Sequence, residues 1–168
     1  MEAINAILTR RSIRRYNAQP VTEETIHLLL EAAMQSPTAR NTQSWSFVVI
    51  TNRTTLDSLV EIHPYAKMLK EAPLTILVCA DLSLEEDKSH QCINCAAATQ
   101  NILLAAHASG LGSVWLGVYP REERINPIKK LLNLAENILP MSLIAIGFPA
   151  EEKTSPTRYD EKKVMFVK

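Results

Sequence analysis

The fold is decided by residues 91–117, whose sequence is QCINCAAATQNILLAAHASGLGSVWLG. This stretch predicts a long helix, then a turn rich in glycine, then a strand. The helix, expected over residues 91–109, holds six alanines between Ala96 and Ala108 and has apolar residues on most faces. Such a helix packs closely and needs burial, so we expect it at the centre of the fold. Gly110 is suited to end it.

The order of the glycines excludes two classes of phosphate site. The chain has only four glycines, and three of them lie in this stretch at Gly110, Gly112 and Gly117. A dinucleotide-binding fingerprint or a P-loop needs glycines after a strand and before a helix, whereas these follow a helix and precede a strand. Any phosphate that this protein binds must therefore be held by side chains.

Helical and strand patterns continue on both sides of this stretch. Helical periodicity covers residues 2–9, 23–35, 55–62 and 121–134, and apolar strands are expected at residues 45–51, 74–80 and 142–148. Thr22 is a natural N-cap for the second helix, and Ser36 followed by Pro37 ends it. No repeat or linker divides the 168 residues, so we expect a single domain over residues 1–168.

Composition narrows the class of protein further. Lys and Arg total 18 and Asp and Glu total 18, so the formal net charge is zero. Nucleic-acid binding needs a basic face, and we expect no nucleic-acid partner. No apolar run reaches the roughly 18 residues of a membrane span, and in residues 1–15 the charge follows the apolar stretch, opposite to a secretory signal. We therefore expect a cytoplasmic protein without membrane partners.

Cysteines and histidines do not predict a metal site. Cys79, Cys92 and Cys95 are odd in number, so they cannot all pair within one chain, and a reducing compartment suits them. The Cys92-x-x-Cys95 spacing could serve redox chemistry or zinc. However, no second ligand pair accompanies it, and it lies inside a helix where buried thiols act as small hydrophobes. The four histidines show no metal-site spacing either.

Positive charge is concentrated near the start of the chain. Arg10, Arg11, Arg14 and Arg15 are four of the eighteen basic residues and lie within six positions, with Ser12 between them. A guanidinium makes two parallel hydrogen bonds to a phosphate or carboxylate, and a hydroxyl adds one, so this cluster could bind an anion. Alternatively, these cations only complement the negative end of the preceding helix. Composition alone favours the second interpretation.

A second polar segment lies between a helix and a strand at residues 36–45, SPTARNTQSW. Asn41 and Gln43 carry both donors and acceptors, which suits the mixed edge of a heterocycle better than a bare anion. Ordinary turn chemistry, with Trp45 as an anchor in the core, explains the segment equally well by itself.

Four motifs in order along the chain resemble the flavin-dependent nitroreductase family. They are RRSIR at 10–14, SPTA-x-N-x-Q-x-W at 36–45, GLGS-x-W-x-G at 110–117, and G-x-P at 147–149 followed by Lys153 and Arg158. The resemblance implies an α+β fold with a central, mostly antiparallel sheet flanked by helices. It also implies a homodimer that exchanges C-terminal segments, and residues 164–167, VMFV, fit such an exchanged strand.

The same resemblance implies FMN at the dimer interface, held by residues of both subunits. Four residues would hold the phosphate, the ribityl chain and the pyrimidine side of the ring: Arg10, Arg11, Ser12 and Arg14. The flavin would also be lined by the partner subunit's Pro37, Thr38 and Asn41. Leu116 and Gly117 would present backbone groups near the reactive nitrogen, while Lys153 and Arg158 would complete the phosphate site. Arg15 lies beyond the motif and is expected to face solvent.

Elementary chemistry agrees with these roles. Arg14 would stabilise the negative charge that a hydride leaves on the pyrimidine ring, and glycine at 117 lets the backbone approach the ring. The cofactor carries the reaction, so we expect no catalytic side chain. We expect an oxidoreductase in which NAD(P)H reduces FMN and leaves before a small planar acceptor, such as a nitroaromatic or a quinone, takes the electrons. The alternatives are a protein that stores or senses FMN, and a basic interaction module without a cofactor.

Overall fold

A four-stranded antiparallel sheet forms the centre of the computed structural model, which describes residues 1–168. The strands are β1 (Trp45–Ile50), β2 (Leu74–Asp81), β3 (Gly112–Gly117) and β4 (Ile138–Gly147). Their order across the sheet is β1-β2-β4-β3, and every neighbouring pair is antiparallel. The α+β class with an antiparallel sheet is therefore confirmed.

Five α-helices flank the sheet. They are α1 (Ala3–Thr9), α2 (Glu23–Met34), α3 (Arg53–Ile62), α4 (Lys88–Ala108) and α5 (Glu122–Leu132). Thr22 caps α2 as expected, since its side chain accepts from Thr25 N–H at 3.2 Å. The long helix begins three residues before the expected start because Asp87 caps it by accepting from Ser89 N–H at 2.8 Å. None of these helices has both the length and the apolar composition needed to cross a bilayer.

Strand β4 also begins earlier than its sequence pattern predicts, at Ile138 rather than at residue 142. The pairing of β2 with β4 shifts register between Val78 and Cys79, and Cys79 lies opposite Pro140. Proline cannot donate to a strand ladder, but a bulge accommodates it. The strand therefore continues through a residue that normally ends one.

The core is one cluster of 34 buried residues around the sheet. β2 is buried along nearly its whole length, and α4 packs Ala98, Ile102 and Ala106 into this core. We expected α4 to be buried on most faces, but Ile93 on its other side is 67% exposed, because no element of the same chain covers that side. Burial raises the pKa values of Cys79 and Cys95 to about 12, so both thiols act as small apolar groups.

The arginine cluster lies along the outer edge of the sheet beside β3. Ser12 forms a parallel bridge with Ser113, and Ile13 N–H donates to Ser113 O at 3.0 Å. A Cβ at Gly112 would lie 2.7 Å from Ile13 Cγ2, so only glycine permits this close approach. The sheet edge therefore fixes the segment that carries the arginines.

Candidate functional site

Cations converge in a cleft of about 600 Å³ between α1, the arginine segment and the C-terminal tail. We call it the Arg10 cleft, and its lining includes Arg10, Arg11, Ser155 and Arg158 but no carboxylate. The pKa of Arg10 is lowered, first by burial and then by repulsion from Arg11 and Arg158. Guanidinium groups that repel one another without an acidic partner would be stabilised by an anion such as phosphate.

Arg11 and Lys153 join the C-terminal tail to the arginine segment. Arg11 Nε donates to Thr154 O at 3.0 Å, and Lys153 Nζ donates to Ser12 O at 2.8 Å. Lys153 also forms an ion pair with Glu151 at 3.2 Å. Both cations therefore contribute positive charge, although some of their N–H donors are already bonded to backbone oxygens. Their contacts hold the tail, and with it Arg158, beside the Arg10 cleft.

A second cleft, of about 640 Å³, lies at the other end of the arginine segment. We call it the Arg14 cleft. Its walls include the aromatic and backbone groups at the end of β3, together with three cations and no carboxylate. The lining residues used below are Arg14, His63, Tyr65, Lys67, Trp115, Leu116, Gly117 and Arg124. Arg14, Leu116 and Gly117 were all predicted from the sequence, and the fold brings them together here. Arg15 points elsewhere and pairs with Glu71 at 3.0 Å.

Gly117 presents its backbone to this cleft. Ser113 O accepts from the arginine segment, so the backbone N–H and C=O of Ser113 point away from β4. In an antiparallel strand this direction recurs at every second residue, so the backbone groups of Trp115 and Gly117 also point away from β4. A Cβ built on Gly117 would meet no atom within 4 Å. The position therefore opens onto free space at an unpaired strand edge, where a ligand could approach the backbone.

Two residues that the sequence patterns did not single out hold the Gly117 carbonyl. His63 Nε2 lies 2.8 Å and Arg124 Nη1 lies 2.7 Å from Gly117 O. Tyr65 N–H donates to His63 Nδ1 at 3.2 Å, and a carbonyl can only accept, so the ring proton of His63 is on Nε2. Burial lowers the pKa of His63, and Arg124 lowers it further while the bond to Gly117 opposes them. A histidine at a helix end carries no local sign of a contact 54 positions away.

Arg124 and Lys67 add positive charge that the sequence analysis also missed. The Arg124 guanidinium lies 5.6 Å from the centre of the Tyr65 ring, and its Nε is buried without a hydrogen-bond partner. An unpartnered buried donor costs about 1–3 kcal/mol, which an incoming acceptor would relieve. The Arg14 cleft is thus arranged for a planar ligand that carries or develops negative charge.

The polar loop at residues 36–45 lies apart from both clefts. It leads into β1, which is three strand spacings, or about 14 Å, from β3 across the sheet. Asn41 and Gln43 have positive φ values of 54° and 47°, and Gln43 N–H donates to Thr38 Oγ1 at 3.1 Å. Within one chain, Pro37, Thr38 and Asn41 therefore do not join the residues at β3.

A smaller cavity of about 140 Å³ shares Trp115 and Gly117 with the Arg14 cleft. Its lining is mainly apolar and includes Cys92 and Met141. Burial raises the pKa of Cys92, so its thiol is neutral at physiological pH. Nothing in this arrangement supports the redox interpretation of the Cys92-x-x-Cys95 motif.

Comparison with known proteins gives likenesses along the whole chain. The sequence profile of the nitroreductase family matches residues 7–64 and 60–148. The chain is 44% identical over 168 residues to a protein of Methanothermobacter thermautotrophicus provisionally named NADH dehydrogenase/NAD(P)H nitroreductase, covering 100% of this chain and 88% of that protein.

Two solved structures illustrate the likeness of fold. A protein of Parabacteroides distasonis with the same provisional name has a TM-score of 0.94 at 37% identity, covering 98% of this chain and 96% of that one. A provisionally named nitroreductase of Desulfovibrio desulfuricans, solved in complex with FMN, has a TM-score of 0.87 at 34% identity, covering 100% and 98% of the two chains.

Proposed function

This chain belongs to the nitroreductase family, and on that basis we propose that it binds FMN and acts as an NAD(P)H-dependent oxidoreductase. One observation carries the proposal. The segment from Arg10 to Arg14 joins two clefts. At Arg10 lies a cluster of guanidinium groups without acidic partners, and at Arg14 lies a cleft in which the backbone of a strand edge is exposed. An elongated ligand with an anionic end and a planar end suits this arrangement.

The residues present fit FMN. Arg10 and Arg158, supported by the charges of Arg11 and Lys153, would hold its phosphate in the Arg10 cleft. Ser12 would lie beside the ribityl chain. In the other cleft, Arg14 would lie on the pyrimidine side of the ring, and Leu116 and Gly117 would offer backbone groups near its reactive nitrogen. Lys67 adds a further positive charge there.

FMN would supply the redox chemistry, taking a hydride from NAD(P)H and, after the nicotinamide has left, passing electrons to a small planar acceptor such as a nitroaromatic or a quinone. The protein contributes binding and charge. Arg14 and Lys67 would stabilise negative charge on the pyrimidine side of the ring, because they act in a cleft without carboxylates. The cofactor would carry the reaction, so no side chain is required as a base. His63 is not free to act as one, because both of its ring nitrogens are already bonded.

We also propose that the protein is a homodimer whose second copy completes the site. Residues 164–167 expose their apolar side chains, with Met165 86% and Val167 91% accessible, and the outer side of α4 exposes Ile93. A second copy would cover these groups and could bring the partner's Pro37, the partner's Thr38 and the partner's Asn41 to the flavin.

The three unpaired cysteines suit a reducing, cytoplasmic location.

The visible spectrum of freshly purified protein tests the proposal. We expect a flavin spectrum that NADH or NADPH bleaches within seconds under anaerobic conditions, and that a quinone or nitroaromatic restores. A yellow protein that neither nucleotide bleaches would instead support storage or sensing of FMN. A colourless protein that fails to take up added FMN would refute flavin binding altogether.

A further inference from the structure

Two side chains from different helices converge on one backbone carbonyl in the Arg14 cleft. His63 caps the C-terminal end of α3, and Arg124 lies in the first turn of α5. Their Nε2 and Nη1 atoms lie 2.8 and 2.7 Å from Gly117 O. A carbonyl oxygen has two lone pairs, so both acceptor positions of Gly117 are occupied.

Gly117 needs such support because little else fixes it. It is the last residue of β3, and its carbonyl points away from β4. Just beyond it the ladder is irregular, since the N–H groups of Val118 and Tyr119 both lie 3.1 Å from Met141 O. Glycine restricts its own backbone less than any other residue. Without the two donors, the end of β3 would have several orientations available.

We propose that His63 and Arg124 are positioning residues that hold the Gly117 carbonyl and thereby fix the Gly117 N–H that faces the Arg14 cleft. The inference rests on the proposed function, because this N–H would be offered to the reactive nitrogen of bound FMN. His63 is only 1% exposed and both of its ring nitrogens are already bonded within the protein, so we assign its effect to Gly117 and not to a bond with a substrate. A small displacement of a group next to the reacting atoms can slow a reaction by about 10²-fold.

The environment of His63 keeps it in the form that this role requires. Its Nε2 proton is donated to Gly117, and its Nδ1 is occupied by Tyr65 N–H. A second proton would displace the bond from Tyr65 and place two positive charges side by side. The other titratable groups that line the cleft are Tyr65 and the three cations Arg14, Lys67 and Arg124, and the cations disfavour that second proton.

The test compares His63→Leu, His63→Gln and Arg124→Met with the wild type, all saturated with FMN. Leucine fills the space without a donor, whereas glutamine keeps an N–H at about the reach of Nε2. The measurements are the Kd for FMN, the absorption bands of the bound flavin, and the anaerobic bleaching rate at saturating NADPH. Thr75→Val is the matched control, because buried Thr75 Oγ1 also donates to a strand carbonyl, Ile144 O at 2.9 Å, outside both clefts.

We expect His63→Leu to slow bleaching by about tenfold or more and to shift the flavin absorption bands, with the NADPH concentration for half-maximal rate unchanged. His63→Gln should restore most of the rate. Thr75→Val should lower Tm and leave the rate unchanged. If His63→Leu does not fold, the comparison of Arg124→Met with Thr75→Val decides the question.

Three results would overturn the inference. The first is that His63→Leu and Arg124→Met both keep the bleaching rate and the spectrum of the wild type. The second is that His63→Gln is as slow as His63→Leu. The third is that Thr75→Val slows bleaching as much as His63→Leu does. A wild type that binds no FMN, or that NADPH does not bleach, would refute the proposed function itself. A fully active wild type with unaffected variants would refute only the positioning role.

Discussion

Arg10 and Arg158 line the same cleft although almost the whole chain separates them, and Arg158 is one of the charges that lower the pKa of Arg10. Arg11 brings them together by bonding to the backbone of the C-terminal tail at Thr154. The repulsion between the two guanidinium groups is a cost that a bound phosphate would remove. Their proximity therefore distinguishes an anion site from a run of charge at a helix end.

Arg10→Ala or Arg158→Ala should weaken FMN binding by about 1.5–3 kcal/mol, or roughly 10- to 150-fold in Kd, because each removes a hydrogen bond to a charged group. Riboflavin lacks the phosphate, so its Kd should not change. Fluorescence titration with both ligands measures the difference. Arg15→Ala is the control, since Arg15 is exposed and pairs with Glu71 outside both clefts. Equal losses for riboflavin and FMN would place these arginines elsewhere on the flavin.

Arg14→Ala should weaken the binding of FMN and of riboflavin alike, each by about 1.5–3 kcal/mol, because Arg14 lies in the cleft assigned to the ring. The reduction potential of the bound flavin should become more negative, since a cation that favours the reduced form is lost. Anaerobic redox titration measures the potential, and the potential of Arg14→Lys should lie between those of the wild type and Arg14→Ala. An unchanged potential would contradict the place of Arg14 beside the ring.

Gly117→Ala and Gly112→Ala should have opposite effects. A Cβ at Gly117 meets no atom within 4 Å, so the apoprotein should keep its Tm while FMN binds more weakly, because the methyl group occupies the space assigned to the flavin. A Cβ at Gly112 would lie 2.7 Å from Ile13 Cγ2, so that variant should lose stability even without FMN. Thermal melts of both apoproteins and FMN titrations check the pair. Undiminished FMN affinity in Gly117→Ala would contradict the assigned ring position.

Stability of the apoprotein should fall as the pH is lowered below about 6.5. The folded protein holds the pKa values of His63 and His107 below 6.5, so between those lowered values and 6.5 the unfolded chain binds more protons, and stability rises with pH. Urea denaturation at several pH values measures the slope. His63→Gln cannot titrate and should reduce that slope, whereas a slope equal to that of the wild type would contradict a depressed pKa at His63.

Removal of residues 164–168 should abolish the proposed dimer. The backbone of this segment would pair with a second copy, and its exposed apolar side chains would pack against that copy. Light scattering coupled to gel filtration gives the mass of the truncated and full-length proteins. Removal of Lys168 alone is the control and should leave the dimer intact. A truncated protein that remains dimeric would contradict exchange of this segment.

Local patterns were sufficient for most of the fold. Hydrophobic periodicity located each α-helix and each strand of the sheet to within a few residues, because burial of one face imposes a repeat that can be seen along the chain. The two largest differences between expected and observed element bounds are the starts of β4 and α4, where a bulge and a side-chain cap extend the element. β4 passes through Pro140 because β4 itself bulges at Met141, the next residue, and α4 starts early because Asp87 caps it.

Which residues line the two clefts could be found only from the tertiary structure. Sequence motifs indicated Arg14 and Gly117 as members of one site, and the fold places them together, but neither His63 nor Arg124 carries a local pattern that points to Gly117. Helix and strand patterns depend on neighbours a few positions apart. Contacts such as those on the Gly117 carbonyl depend on where a helix end arrives after the sheet has formed. The amino-acid order therefore specified which elements form, and only their packing decided which cations and which carbonyl share a cleft.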